Sequence, residues 1–248
     1  MAVRVGLILL ICLFAVNLPS IAHSQDSKTL IAQADALFAQ RADLEKCRQA
    51  IDTYDKVLSA DPNNYEALWK LARACYWLGL NSPDDQKAAI FEKGVNAGKK
   101  AVEVNGKDPA GHYWLGVSYG KYGEAKGILK SLSLVDPTKE EMQKVIELDP
   151  NYEGGGAYRV LGRLYFKLPG LFGGSNKKAV ENLQTSIKIA PERLISHVFL
   201  AEVYLDTDKK DLAHKELEFV MNSPGKKGYE PEAALEKRQA KELLEKNF

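Results

Sequence analysis

The side chains able to do chemistry are few and spaced poorly for it. His112, His197 and His214 stand apart in the sequence, and no HExxH, paired-histidine or cysteine–histidine spacing occurs, so neither a zinc hydrolase nor a nucleophilic triad is encoded. There is no G-x-S-x-G elbow either. His112 and His197 adjoin Tyr113-Trp114 and Val198-Phe199 in helical sequence, where a surface histidine is expected. Gly94 and Gly98 precede Lys99-Lys100 without the spacing or the Ser/Thr of a phosphate loop, and Gly116, Gly120, Gly123 and Gly127 follow no strand, so neither set cradles a nucleotide. The stretch "KLPGLFGGSNKKA", Lys167 to Ala179, looks more like an anion cradle. Its Ser175 and lysines are most simply the N-cap and first turn of a helix, with Leu171 and Phe172 as extra apolar residues ahead of it. No catalytic residue, metal site or cofactor is implied. What remains is a chemistry of contact: Trp69, Trp77, Tyr113, Trp114, Tyr158, Arg159, Leu171 and Phe172 are the aromatic, apolar or bidentate side chains suited to hold a ligand or partner.

The elements that position these residues repeat along the chain. Four segments end alike, "YDKVLSADP" (54–62), "GKKAVEVNGKDP" (98–109), "MQKVIELDP" (142–150) and "LQTSIKIAP" (183–191), each a helical end stopped by proline. Near them lie "ALWKLARACY" (67–76), "GHYWLGVSY" (111–119), "GAYRVLGRLY" (156–165) and "SHVFLAEVY" (196–204), in which an apolar residue precedes Gly or Ala and, except at Cys75, Tyr follows three residues later. This pattern resembles the tetratricopeptide repeat, in which a small residue on each of two antiparallel helices permits close approach and an aromatic fills the space beside it. The resemblance implies an all-α superhelix of about five hairpins over residues 25–248 as a single domain. Residues 231–247 form a polar helix suited to cap its open end.

The departures from the repeat are informative. A regular unit places twelve residues between the small residue of helix one and that of helix two, as from Ala201 to Ala213. The intervals Gly162–Ala179, Ala72–Gly94 and Gly116–Thr138 are seventeen, twenty-two and twenty-two, so extra chain emerges from three hairpin turns along one edge. The longest insertion spaces Ile128, Leu129, Leu132, Leu134 and Val135 as a short amphipathic helix, after which Thr138 reads as an N-cap. The apolar residues of this edge either pack together as a satellite core or line a ligand cavity or oligomer contact.

A narrower resemblance rests on "EALWKLARACYWLGL", "GGGAYRVLGRLY", the join "LPGLFGGSNKKA" and the last hairpin. These look like the periplasmic tetratricopeptide proteins associated with TRAP transporters. That family implies a protomer around an apolar pore, assembly as a trimer, a periplasmic solute-binding protein as partner, and a small apolar ligand such as a hydrophobic carboxylate. The alternative is an envelope-assembly scaffold that binds proteins and no small molecule.

Compartment follows from the first residues. Arg4, the apolar run Val5–Val16 and Pro19 before small residues read as a secretory signal peptide over residues 1–24, cleaved after Ala22 or Ser24, so the mature chain is expected to be exported, periplasmic and without a membrane span. The 34 Lys and Arg balance 33 Asp and Glu, which leaves no basic footprint for nucleic acid. Outside that leader only Cys47 and Cys75 occur, at neighbouring helix ends; in an oxidising compartment they are either a disulfide or two small buried thiols.

Overall fold

The computed structural model describes residues 19–248, so the leader expected over 1–24 lies mostly outside the described residues. Pro19–Ser24 are the opening turns of the first helix. The described residues form five antiparallel hairpins and a final helix. They are α1 (Pro19–Ala39) with α2 (Leu44–Ala60), α3 (Tyr65–Leu80) with α4 (Asp84–Val104), and α5 (Pro109–Lys126) with α7 (Val135–Leu148), between which α6 (Ile128–Ser133) is inserted. Then come α8 (Gly156–Lys167) with α9 (Asn176–Ile189), joined through a 3-10 turn at Gly170–Phe172, α10 (Leu194–Asp206) with α11 (Lys210–Asn222), and α12 (Glu230–Asn247).

Local chemistry sets the boundaries. The Asp43, Asn64 and Asp108 side chains accept from the backbone N–H of Glu45, Ala67 and Ala110, and Pro109 supplies a preset φ in the first turn of α5. Ser175 caps α9 as expected, accepting from Lys178 N at 3.3 Å. Thr138 does not cap a helix: α7 already begins at Val135, and the Thr138 hydroxyl donates back to the Leu134 carbonyl at 2.6 Å.

Small residues are where helices touch. A Cβ placed on Gly98 would stand 2.9 Å from the Leu115 Cα on α5, and one on Gly162 would stand 2.7 Å from Leu183 Cγ on α9. The packing forms two cores. One, around Tyr54, Trp77, Tyr113 and Met142, serves the first three hairpins and reaches α8; the other, around Leu183, Leu194, Leu200 and Leu217, serves the last two and α12. Tyr165 on α8 packs against both.

The stack is closed on itself. Arg41, in the turn after α1, donates from Nε to Glu232 Oε1 at 2.9 Å, and from one terminal nitrogen to Glu232 Oε2 at 2.5 Å and to the Gly228 carbonyl at 2.9 Å. The turn of the first hairpin is thereby clamped to the start of the last helix. α12 does cap the final hairpin, burying Ala233 and Ala240. It is also tied by Arg41 to the turn of the first hairpin, across the concave side of the superhelix.

Candidate functional site

The concave side holds a half-open cavity of about 900 Å³. Its wall comes chiefly from the first helix of each hairpin, α1, α3, α5, α8 and α10, together with the inner face of α12; α2, α4, α9 and α11 contribute nothing to it. Phe38, Tyr76, Trp77, Tyr113, Trp114, Val117, Val160 and Phe199 give it an apolar body. The aromatic group is internally packed: the Tyr113 and Trp114 rings meet edge-on at 4.9 Å, and Trp114 lies 5.8 Å from Tyr76.

Several cations also reach the wall, and most are neutralised. Lys70 lies between Asp35 at 2.6 Å and Glu66 at 2.5 Å, Arg163 pairs with Glu202 at 2.7 Å and stacks on Phe199, and Arg41 holds Glu232. Arg159 and Arg193 differ. Arg159 is 4% exposed, and its partners are the Tyr113 hydroxyl at 3.1 Å and the carbonyls of Glu153 and Gly154 at 3.3 and 3.4 Å. Arg193 is 8% exposed, is stacked 3.7 Å above the Tyr229 ring, and meets a carboxylate only at 3.9 Å, on Glu153. Its Nε has no hydrogen-bond partner among the described residues.

The backbone between α7 and α8 explains this arrangement. Glu153, Gly154 and Gly155 take φ of 51°, 64° and 67°, three consecutive left-handed residues. Glycine adopts this readily, whereas Glu153 is strained by about 1 kcal/mol or more. The turn aims two carbonyls at Arg159 and sends the Glu153 carboxylate into the cavity wall, where it accepts from the Tyr229 hydroxyl at 2.7 Å. Opposite, Glu236 on α12 is 7% exposed, and burial pushes its carboxyl up to about 7 against the pull of Arg193 and Arg159. Two buried guanidiniums thus face two carboxyls, Glu153 and a Glu236 whose burial favours its neutral form.

The candidates read from sequence divide. Trp77, Tyr113, Trp114 and Arg159 are buried and line the cavity, with the Trp77 indole N–H donating to the Arg41 carbonyl at 2.6 Å. Trp69 and Tyr158 are half-buried and lie outside the wall; Trp69 instead receives the guanidinium of Arg73 on its face. Leu171 and Phe172 are 90% and 49% exposed, because the 3-10 turn carries them outward while Leu168 and Pro169 face the cavity. The insertion edge forms no satellite core: no residue of α6 is buried, and Ile128, Leu132, Leu134 and Val135 border the cavity.

Cys47 and Cys75 are buried and unbonded. The Cys47 thiol is directed at the Ala74 carbonyl, 3.6 Å away, and burial pushes both thiols up to about 12, which keeps them protonated and unreactive. The expected surface histidines are internal ties, as His112 and His197 are 7% and 5% exposed. Each directs Nδ1 at a glutamate, Glu141 at 2.6 Å and Glu216 at 2.5 Å, and Nε2 at a backbone carbonyl, of Gly106 and Pro191.

Sequence reading missed Arg193, Glu236, Tyr229 and Glu153. One of them left a trace: Ala233, Glu236 and Ala240 share a helical face, so a carboxylate stands in the stripe that α12 buries. Among the described residues no cluster of three or more His, Cys, Asp or Glu is placed to hold a metal ion, and no helix is long and apolar enough to cross a membrane.

Hairpins of this register stacked around a concave face define a tetratricopeptide-type helical-repeat protein, here with a cavity on that face. TTC0263, a thermophilic TPR protein of Thermus thermophilus, superposes with a TM-score of 0.65 over 88% of this chain and 99% of that one at 20% identity. Pseudomonas aeruginosa pilF does so at 0.56 over 90% and 86%, with 13% identity. Within this class the chain belongs to the family described as Regulator of microtubule dynamics protein 1-3, whose model matches residues 30–172, from α1 through the 3-10 turn. Regulator of microtubule dynamics protein 1 of Bos taurus is 31% identical over 124 residues, and that of Mus musculus 29% over 124. Each alignment takes in 49% of this chain but only 37% and 38% of those relatives' length.

Proposed function

We propose that this protein is a binding module, not an enzyme, and that its cavity holds the apolar body of an amphipathic small molecule whose anionic head lies between Arg159 and Arg193. The observation that carries this reading is the pairing of an aromatic-walled cavity with two buried guanidiniums, neither in close contact with a carboxylate. The curated relatives are named for regulating microtubule dynamics; the part shared with them is the solenoid, so what is carried over is a capacity to bind.

The test is isothermal titration with dodecanoate, dodecanol and dodecylammonium. Dodecanoate is expected to bind, the alcohol to bind weakly and the ammonium not at all. Arg193→Gln should weaken dodecanoate by about tenfold or more, the worth of a charge-assisted hydrogen bond, and leave dodecanol unchanged. Equal binding of all three chain heads sinks the assignment. Glu236→Gln should tighten dodecanoate above pH 7, where the wild-type carboxylate competes for the same arginines.

In this reading the protein is exported and exchanges such a carboxylate with a periplasmic solute-binding protein, as the resemblance to the TRAP-associated proteins implies. Recovery of only envelope-assembly factors from periplasmic extract counts against that partner. N-terminal sequencing of the secreted chain tests the leader, and a trimer on sedimentation would support the pore-like assembly.

A further inference from the structure

We infer that the rim formed by α6 and the 3-10 turn docks on an anionic lipid surface. Two observations meet there. The most exposed apolar side chains of the described residues are Leu171 at 90%, Leu129 at 82% and Ile128 at 72%, and Phe172 is 49% exposed beside them in sequence. Exposed apolar residues are usually scattered; four on two turns are not. Both segments border the same cavity, α6 through Ile128 and Leu132 and the start of the 3-10 turn through Leu168 and Pro169, and Lys139 on α7 reaches toward the latter, its Nζ 3.8 Å from where a Cβ on Gly173 would stand.

The second observation is charge. Residues 126–135 and 167–180 hold five lysines and no aspartate or glutamate, in a chain whose acidic and basic residues nearly balance. Lys126, Lys130, Lys177 and Lys178 are all exposed. The turns of the neighbouring hairpins differ: residues 81–87 carry Asp84 and Asp85 beside Lys87, and residues 206–212 carry Asp206, Asp208 and Asp211 beside Lys209 and Lys210, with Leu212 their one exposed large apolar residue. Apolar knobs ringed by lysines fit a bilayer with anionic headgroups, where side chains of Leu, Ile and Phe enter the acyl boundary and lysines stay at the phosphates. Ile128 and Leu132 also border the cavity, so docking by this rim turns the cavity edge toward the bilayer.

Docking does not depend on what the cavity holds, and its test is separate. The purified mature chain is sedimented with vesicles of phosphatidylglycerol, with vesicles of phosphatidylcholine, and with phosphatidylglycerol at high salt. Strong binding to the first only is expected, since each lysine near such a surface contributes about fivefold at low salt. The combined change of Leu129, Leu171 and Phe172 to Ser, and separately Lys130→Glu with Lys177→Glu, should each lower binding by about tenfold or more with helical circular dichroism unchanged. Arg193→Gln, which tests the cavity head group, should leave vesicle binding as it was. Wild type and rim variants that sediment alike overturn the proposal, as does a wild type that ignores vesicles but forms a dimer which the Ser variant dissociates.

Discussion

The third and fifth hairpins solve the same packing problem with very different amounts of chain. In both, a histidine on the first helix reaches a glutamate on the second and a carbonyl of the preceding turn, His112 with Glu141 and Gly106, His197 with Glu216 and Pro191. Four residues on, Gly116 and Ala201 hold the close contact. On the second helices Met142 and Leu217 stand four residues after Thr138 and Ala213, and both are fully buried. Yet ten more residues separate the paired small residues of the third hairpin, and that surplus becomes α6 and part of the cavity edge. The core of a repeat is thus fixed by a handful of contacts, while its turn is free to grow, because closing a longer loop costs only a fraction of a kcal/mol per doubling.

That equivalence can be broken by experiment. Met142→Ala and Leu217→Ala should each destabilise by about 3 kcal/mol in urea unfolding, as cavities of similar size in similar sites. A loss at Met142 well below that at Leu217 would show that the expanded hairpin is packed more loosely than its partner. Glu232→Ala should cost about 2 kcal/mol or more by stranding the buried Arg41, and it should sharpen the contrast: hydrogen exchange is expected to quicken in α10–α12 and remain slow in α5 and α7.

The histidine ties come next in size. His112→Gln and His197→Gln should each cost about 1 to 2 kcal/mol, the range for hydrogen bonds to charged groups. For His112 the sign with pH is definite. The Glu141 hydrogen bond raises its folded titration above the ordinary value near 6.5, against the opposing effect of burial. Its contribution is therefore complete below about 6.5 and is lost as pH rises through the folded value, so the gap between wild type and His112→Gln should narrow in alkaline solution. The smallest effect is expected from replacing residues 126–134 with a short turn: stability changes by about 1 kcal/mol or less, while vesicle binding falls.

Much of this architecture was legible in the sequence because it is local. The proline-stopped endings marked α2, α4, α7 and α9, the Gly/Ala contacts gave the hairpins, and Ser175 gave a cap. A cavity or pore was among the expectations, but its wall was not legible, because it arises from curvature summed over five units and from a clamp between residues 191 apart. Arg159 was identified as a contact residue without its reason, which lies in the left-handed run at Glu153–Gly155. Leu171 and Phe172 were placed on the correct edge, but their direction is decided by the 3-10 turn, and α6 was too short for its periodicity to say which side meets water. The histidines were misplaced for a related reason. Burial of each depends on a glutamate nineteen or more residues away.

The clamp of Arg41 on Glu232 and Gly228 changes how the molecule comes apart. A row of stacked units normally frays, each terminal unit resting on one neighbour and peeling away at little expense to the others. Here the turn of the first hairpin and the start of the last helix are also tied to each other, so neither end of the row is wholly free. Opening must begin at that one seam, where a few polar atoms, not a hydrophobic layer, hold the two ends together. A seam made of charge is sensitive to salt in a way that the helical cores are not. The same feature that makes the barrel-like whole cooperative therefore also supplies the place at which it can be unfastened.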